Sequence, residues 1–389
     1  MNVTQRGIVT LLRSAITGGN LQLPADFDIA AALPLIQKHH MVTMVYDGAV
    51  RCGISRELPA MVQLFQGYCR GLQICEGQMR EFSRVCCAFN EAGIDYMPLK
   101  GSRMRKLYPK PELRLMGDAD ILIRMEQFEK IVHVMEQLGF VDHSDSDHEL
   151  IFKTPGLYLE LHKRLIPSYN RDLHAYFGDG WQLAKVKNGN QYAMTAEDEM
   201  IYLFSHFAKH YRDGGVGCRY VVDLWVYRRA HPELDENYVE AELEKLQLLE
   251  FYRNVRRLIA FWFEGGPVDA KLELMTEYIF ASGSWGQLES RVLSVTIRES
   301  KRSILGFSGR LVYIRRKLFP GVAVLRRKYT ILQKAPWMLP VVWLIRPFYK
   351  VLFERKQLDR QKQELKTLDK QALREQRRML EYVGLEYHF

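Results

Sequence analysis

The chain has 389 residues, 47% of them hydrophobic and 26% charged, with a formal net charge of +9. That balance excludes a disordered chain, and the length is enough for two or three domains with full cores. No apolar run reaches the roughly 18 residues of an ordinary transmembrane helix, and the opening stretch MNVTQRGIVTLLRSAITGGN lacks the apolar centre and cleavage site of a signal peptide, so a cytoplasmic protein is expected.

The charge is unevenly spread. Residues 301–350 carry twelve Lys or Arg and no Asp or Glu, which leaves the other 339 residues at −3. The six cysteines (Cys52, Cys69, Cys75, Cys86, Cys87, Cys218) show no CxxC or Cys/His spacing and are expected to be reduced thiols.

Residues 1–94 read as an N-terminal helical region. Ile8–Ile16 is periodic and stops at Gly18-Gly19, and Asp28–Val50 keeps apolar residues in helical phase through Leu33, Ile36, Met41, Val45 and Ala49. His39 and His40 are adjacent, so on a helix they diverge by about 100°, and a structural role is expected of them rather than a ligand pair. Ser55 is the expected N-cap of a long helix from Glu57 to Ala92, with Gly93 as the stop.

Residues 95–194 hold the densest chemistry. Tyr96–Leu99 reads as a short buried strand, Lys100-Gly101-Ser102 as a tight turn, and Arg103–Tyr108 as a helix of about two turns, whose free N–H groups suit an anion. Asp118-Ala119-Asp120 then opens the apolar run Ile121-Leu122-Ile123. Residues i and i+2 of a strand share a face, so the two carboxylates converge where they can hold one or two Mg²⁺ ions.

Glu126–Leu138 is an amphipathic helix ended by Gly139, and Phe140-Val141 is expected to start a short strand. The run His143–His148 has a composition that suggests a metal site, but its polar density fits a solvated turn. Glu149–Lys153 and Leu157–His162 form a hairpin around Thr154-Pro155-Gly156. In its second strand Leu157, Leu159 and Leu161 share one face, and Tyr158, Glu160 and His162 the other.

Gly101-Ser102, a helix, and Asp-x-Asp opening an apolar strand resemble the polymerase β-like nucleotidyltransferase superfamily. The finer pattern resembles an uncharacterised bacterial nucleotidyltransferase family: LKG at 99–101, Tyr108-Pro109, Arg114, GDADILI at 117–123 and LELHK at 159–163. The resemblance implies an α+β fold, a small mixed sheet flanked by N-terminal helices and a C-terminal helical bundle. It also implies a metal site of Asp118, Asp120 and Glu160, with Glu160 standing where the superfamily more often has Asp. Lys100, Gly101, Ser102, Arg103 and Arg114 would then bind the triphosphate. The cofactor would be Mg²⁺ or Mn²⁺, the substrate an NTP such as ATP, and the acceptor a small molecule, a protein or RNA. A non-catalytic nucleotide-binding module and an RNA-end-modifying enzyme are the alternatives.

From Thr195 the period turns helical, and residues 195–305 read as a helical bundle. Thr195 opens a helix in which His206 and His210 share a face without a third ligand in view. Gly214–Gly217 reads as a flexible link, and Arg219–Arg229 as a helix whose Asp223, set among apolar residues, either pairs with a cation such as Arg219 or faces a cleft. Helices are also expected at 237–248, 250–263, 269–280 and about 286–304. Residues 306–389 form a basic helical region. In it APWMLPVVWLI (335–345), flanked by Arg326-Arg327-Lys328, Lys334, Arg346 and Lys350, suits an anionic membrane surface contacted through 306–350; a nucleic-acid or protein surface fits too, as does a helical cap with a solvated basic face. Residues 354–382 read as a solvated terminal helix.

Overall fold

A computed structural model describes residues 1–140, 142–146, 148–284, 286, 293–294, 315, 319–325, 329–353 and 370–385. It divides into two compact units: Met1–Lys209 with Val216–Ser284, and His210–Gly215 with Trp285–Phe389.

The first unit is α+β. Helix α1 (Val3–Thr17) starts at a capping box, in which Asn2 Oδ1 accepts the Gln5 N–H and Gln5 Oε1 accepts the Asn2 N–H, both at 2.9 Å. The apolar run from Asp28 to Val50 is two helices, α2 (Ile29–Lys38) and α3 (Val42–Arg51), because the chain turns at His40 with φ +52°. Periodicity stays in phase across this break, so sequence alone hides it. His39, at the break, is fully buried. Its Nδ1 accepts the Cys218 N–H (3.2 Å), and its Nε2 lies 3.1 Å from the Phe280 carbonyl. The long helix is α4 (Pro59–Glu91), entered at Leu58 rather than capped by Ser55, with proline in the first turn where its missing N–H costs nothing.

The remaining elements build the sheet and its cover. β1 (Tyr96–Leu99) runs directly into the five-residue helix α5 (Lys100–Met104) and a 3₁₀ turn (Arg105–Leu107); the expected helix therefore starts three residues early. β2 (Ala119–Ile123), α6 (Phe128–Gln137), β3 (Asp142–Asp145), β4 (Glu149–Thr154) and β5 (Leu157–His162) follow, then α7 (Arg171–Phe177), β6 (Lys185–Asn188) and β7 (Gln191–Ala193). The seven strands lie in the order β3-β4-β5-β2-β1-β7-β6. β2 is parallel to β5 and β1 to β7, and every other neighbour is antiparallel. The start of the run expected as a solvated turn is thus the edge strand β3, and the strand expected at Phe140 starts two residues later.

One face of the sheet is apolar. Ile121 and Ile123 of β2, Leu157, Leu159 and Leu161 of β5, and Tyr96 of β1 pack with Phe89 of α4 and Ile131 and Met135 of α6. Because strand side chains alternate, Asp120, Glu160 and His162 project from the opposite face. The apolar stripe of the hairpin decides where its acid and imidazole go.

Helices α8 (Ala196–Asp213), α9 (Cys218–Ala230), α10 (Glu236–Lys245), α11 (Leu249–Ile259, prolonged by a π turn to Glu264) and α12 (Ala270–Ser282) complete the described bundle. The helix expected at 286–304 falls almost wholly outside the described residues. Thr195 Oγ1 accepts the Asp198 N–H (3.1 Å), which caps the start of α8 as its sequence suggests.

In the second unit, α13 (Val322–Leu325), α14 (Ile331–Lys334) and α15 (Leu339–Phe353) gather around Leu325, Leu332 and Val342, and α16 (Lys370–Tyr382) lies near the C-terminus. Trp343 donates to the Pro320 carbonyl (2.9 Å) and meets Phe319 edge-on, whereas Trp337 is 78% exposed and Leu344 73%. No described helix is long and apolar enough to cross a membrane.

Candidate active site

The two central parallel strands put Asp120 of β2 directly opposite Glu160 of β5, and Leu99 of β1 opposite Asp120 on the other side. Lys100 is the first residue after Leu99, so its side chain reaches Asp120: Nζ lies 2.8 Å from Oδ1. The same oxygen is 2.8 Å from Nε2 of His162, and that nitrogen is 3.6 Å from Glu160 Oε2. Asp118 is half-buried immediately before β2.

Electrostatics tie the five groups together. Burial lifts the Asp118 carboxyl above its ordinary range, and the charges of Asp120 and then Glu160 add to that. Burial would lift Asp120 as well, but Lys100 and the hydrogen-bonded His162 hold it well below the usual carboxylate range. Lys100 itself would be lowered by burial, and the Asp120 charge instead raises it well above a normal ammonium. The result is a pinned carboxylate beside one that is crowded.

The backbone shows the same tension. Lys100 has φ +39°, a left-handed conformation that costs a residue with a side chain about 1–2 kcal/mol. Next to it, a Cβ on Gly101 would come within 2.6 Å of the Arg114 guanidinium and 3.1 Å of Met116 Sδ, so only glycine fits there. The turn after β1 is therefore shaped by close packing on its inner side.

Asp120, Glu160 and His162 place ligand atoms within 4.8 Å of one another. Two carboxylates and an imidazole, with the Asp118 carboxyl in electrostatic reach, form a group able to hold a divalent metal ion.

The sequence profile of a family described as an uncharacterised nucleotidyltransferase matches residues 25–264. The chain belongs to that family. No curated protein and no solved structure matches it.

In this member of the family the other residues expected at the nucleotide have partners of their own. Ser102 is buried and its hydroxyl donates to the Leu99 carbonyl (2.9 Å), closing the turn. Arg103 makes a two-pronged ion pair with Glu199 of α8 through Nε to Oε1 and Nη2 to Oε2. Arg114, buried, donates to both oxygens of Asp223 on α9, at 3.2 and 2.9 Å, and the Tyr108 hydroxyl adds a 2.6 Å bond to that carboxylate. The cation that Asp223 pairs with is thus Arg114; Arg219 donates instead to the Leu115 carbonyl (3.1 Å).

Three residues at the site carry no expected role from sequence. His162 was placeable on the Glu160 face by alternation, but its bond to Asp120 depends on strand pairing. Tyr202 of α8 is buried beside Lys100 and Asp120, where burial raises its phenol; no local pattern marks it. His148 sits within the polar run expected to be a solvated turn, yet its ring meets His162 edge-on at 5.7 Å. His206 stacks on Tyr220 at 6.0 Å, and among the described residues neither it nor His210 belongs to a group of three metal-ligating side chains.

Proposed function

We propose that this protein moves a nucleoside monophosphate from an NTP to an acceptor hydroxyl and releases pyrophosphate, with Mg²⁺ or Mn²⁺ held by Asp118, Asp120 and Glu160. The observation that carries this is the β2–β5 register, which sets Asp120 opposite Glu160 with Asp118 close enough to feel both charges. When bound, the divalent ion supplies positive charge at the triphosphate and lowers the pKa of the acceptor hydroxyl. Nucleotidyl transfer needs mainly positioning and charge stabilisation, so no covalent nucleophile is required of the chain.

Each residue then has a task. His162 and Lys100 both hold Oδ1 of Asp120, so the rotamer of its ligand face is set in advance. Glu160, half-buried, takes the proton of the acceptor hydroxyl. The Lys100-Gly101-Ser102 turn would border the triphosphate, with the Lys100 charge beside it while its ammonium holds Asp120. Arg103 and Arg114 act at one remove, tying the turn to α8 and α9. A module that only bound nucleotide would not need three carboxylates gathered on one face.

The direct test is incubation of purified protein with each α-labelled NTP, Mg²⁺ and a cell extract, followed by detection of labelled product and pyrophosphate. Labelled product that vanishes in Asp120→Asn supports the reading. Equal labelling by wild type and Asp120→Asn overturns it.

A membrane contact through 306–350 belongs to the same reading. Val341, Leu344 and Ile345 are exposed on one face of α15, with exposed Trp337 just ahead of it, in a segment whose charges are all basic. An apolar strip with cationic flanks complements an anionic bilayer surface.

A further inference from the structure

We propose a second cation site next to the catalytic carboxylates, formed by His148, Glu149 and His162, that takes a borderline divalent metal such as Zn²⁺ rather than Mg²⁺. It does not depend on the nucleotidyl-transfer reading, although it shares His162 with the first cluster.

The argument starts from the His162 ring. Its Nε2 faces two carboxylates, Asp120 at 2.8 Å and Glu160 at 3.6 Å, so a ring proton is held on that nitrogen and donated there. Nδ1 is the nitrogen left over, and a metal bound there displaces any proton it carries. It is buried, on a residue only 2% exposed, and has no hydrogen-bond partner among the described residues. An imidazole whose N–H is held by a carboxylate and whose other nitrogen is unsatisfied has the arrangement seen in metal-ligating histidines, where the carboxylate fixes the tautomer and raises ligand basicity.

The donors that would share the ion are already beside it. Glu149 opposes His162 in the β4–β5 register, and His148 Nε2 lies 2.9 Å from Glu149 Oε2. The Lys163 N–H donates to the His148 carbonyl (2.7 Å), which holds His148 at the end of β5. The Ser146 hydroxyl and the Glu149 backbone exchange two bonds, of 3.0 and 3.1 Å, and fix the turn that carries both residues. Ligand atoms of His148, Glu149 and His162 all lie within 4.8 Å of one another. Closing onto one ion with bonds of about 2.1 Å needs roughly an ångström of movement from the half-buried His148 and Glu149.

Donor chemistry separates this site from the first. Two imidazoles and one carboxylate favour Zn²⁺, Co²⁺ or Fe²⁺, whereas Mg²⁺ asks for oxygen. Because His162 belongs to both clusters, an ion here would lock the residue that orients Asp120.

The test is titration of the full-length protein with Co²⁺ in the presence of excess Mg²⁺, followed by visible absorption. The expected result is one equivalent of Co²⁺ with d–d bands stronger than those of the aqua ion, weakened at least about tenfold in affinity by His148→Ala and by Glu149→Ala. Asp118→Asn should leave these bands in place, so failure of the catalytic reading and failure of this one are distinguishable. Both site variants should keep the wild-type melting temperature measured with no added metal. Bands unchanged in both variants, or erased by Mg²⁺, would overturn the proposal.

Discussion

His39 and His162 are both buried imidazoles within the same compact unit, and their surroundings differ in one respect. His39 has both nitrogens engaged, one accepting the Cys218 N–H and the other at the Phe280 carbonyl, and burial lowers it to about 4. His162 has one nitrogen among carboxylates and the other unpartnered among the described residues, beside a lysine held in a left-handed conformation. The first node joins α2 to α9 and α12 and is complete in itself. The second leaves lone pairs and like charges short of partners, and orphaned polar groups and backbone strain concentrate where a ligand is to be received.

The contrast breaks first at Asp120. Asp120→Asn should lower nucleotidyl transfer on the order of 10⁴-fold, about 5 kcal/mol, while the fold survives because Lys100 and His162 still have an oxygen to meet. Single-turnover assays with circular dichroism on the same samples check both halves.

Arg114 is the next test, because it borders the site yet is satisfied like His39. Arg114→Ala leaves Asp223 buried without its cation and should cost about 4 kcal/mol in urea unfolding. Asp223→Asn together with Arg114→Met should recover much of that loss, since removing both charges spares the desolvation cost.

His39 supplies the pH dependence. Its folded-state pKa lies below the ordinary 6.5, so the unfolded chain binds the proton more tightly and stability falls as pH drops. The contribution is complete above pH 6.5 and shrinks by about 3 kcal/mol as pH approaches 4. Unfolding free energies of wild type and His39→Gln, compared from pH 7 to 4.5, should converge on acidification.

The smallest effect is expected from the basic segment. Each engaged cation contributes about 1 kcal/mol at an anionic bilayer, weakened by salt. Sedimentation with phosphatidylserine vesicles should exceed that with neutral ones, and Trp337→Ser should reduce it; equal sedimentation with both vesicle types counts against the contact.

The central strands were legible in the sequence because their signals are local. Tyr96–Leu99 is β1 residue for residue, the alternation of Leu157, Leu159 and Leu161 assigned Glu160 its face, and Asp-x-Asp marked β2. What stayed hidden depends on distant parts of the chain. Arg103 meets Glu199 and Arg114 meets Asp223 across 96 and 109 residues, and no spacing rule reaches so far. Lys185–Asn188 is exposed throughout, so β6 exists through pairing with β7 and not through any apolar pattern of its own. The same holds for β3, whose polar residues suit a turn until β4 offers it an edge.

The position of β2 has one more consequence, for the order in which the molecule comes apart. Asp120 rides on a strand hydrogen-bonded on both sides, to β1 and β5, and its inward neighbours Ile121 and Ile123 sit in the core. Amide protons at Ala119–Ile123 should exchange with deuterium only through global unfolding, while those of β6 and β3 at the two rims exchange through local opening. Damage at the rims would then leave catalytic geometry untouched, and activity on heating should persist until the whole unit melts.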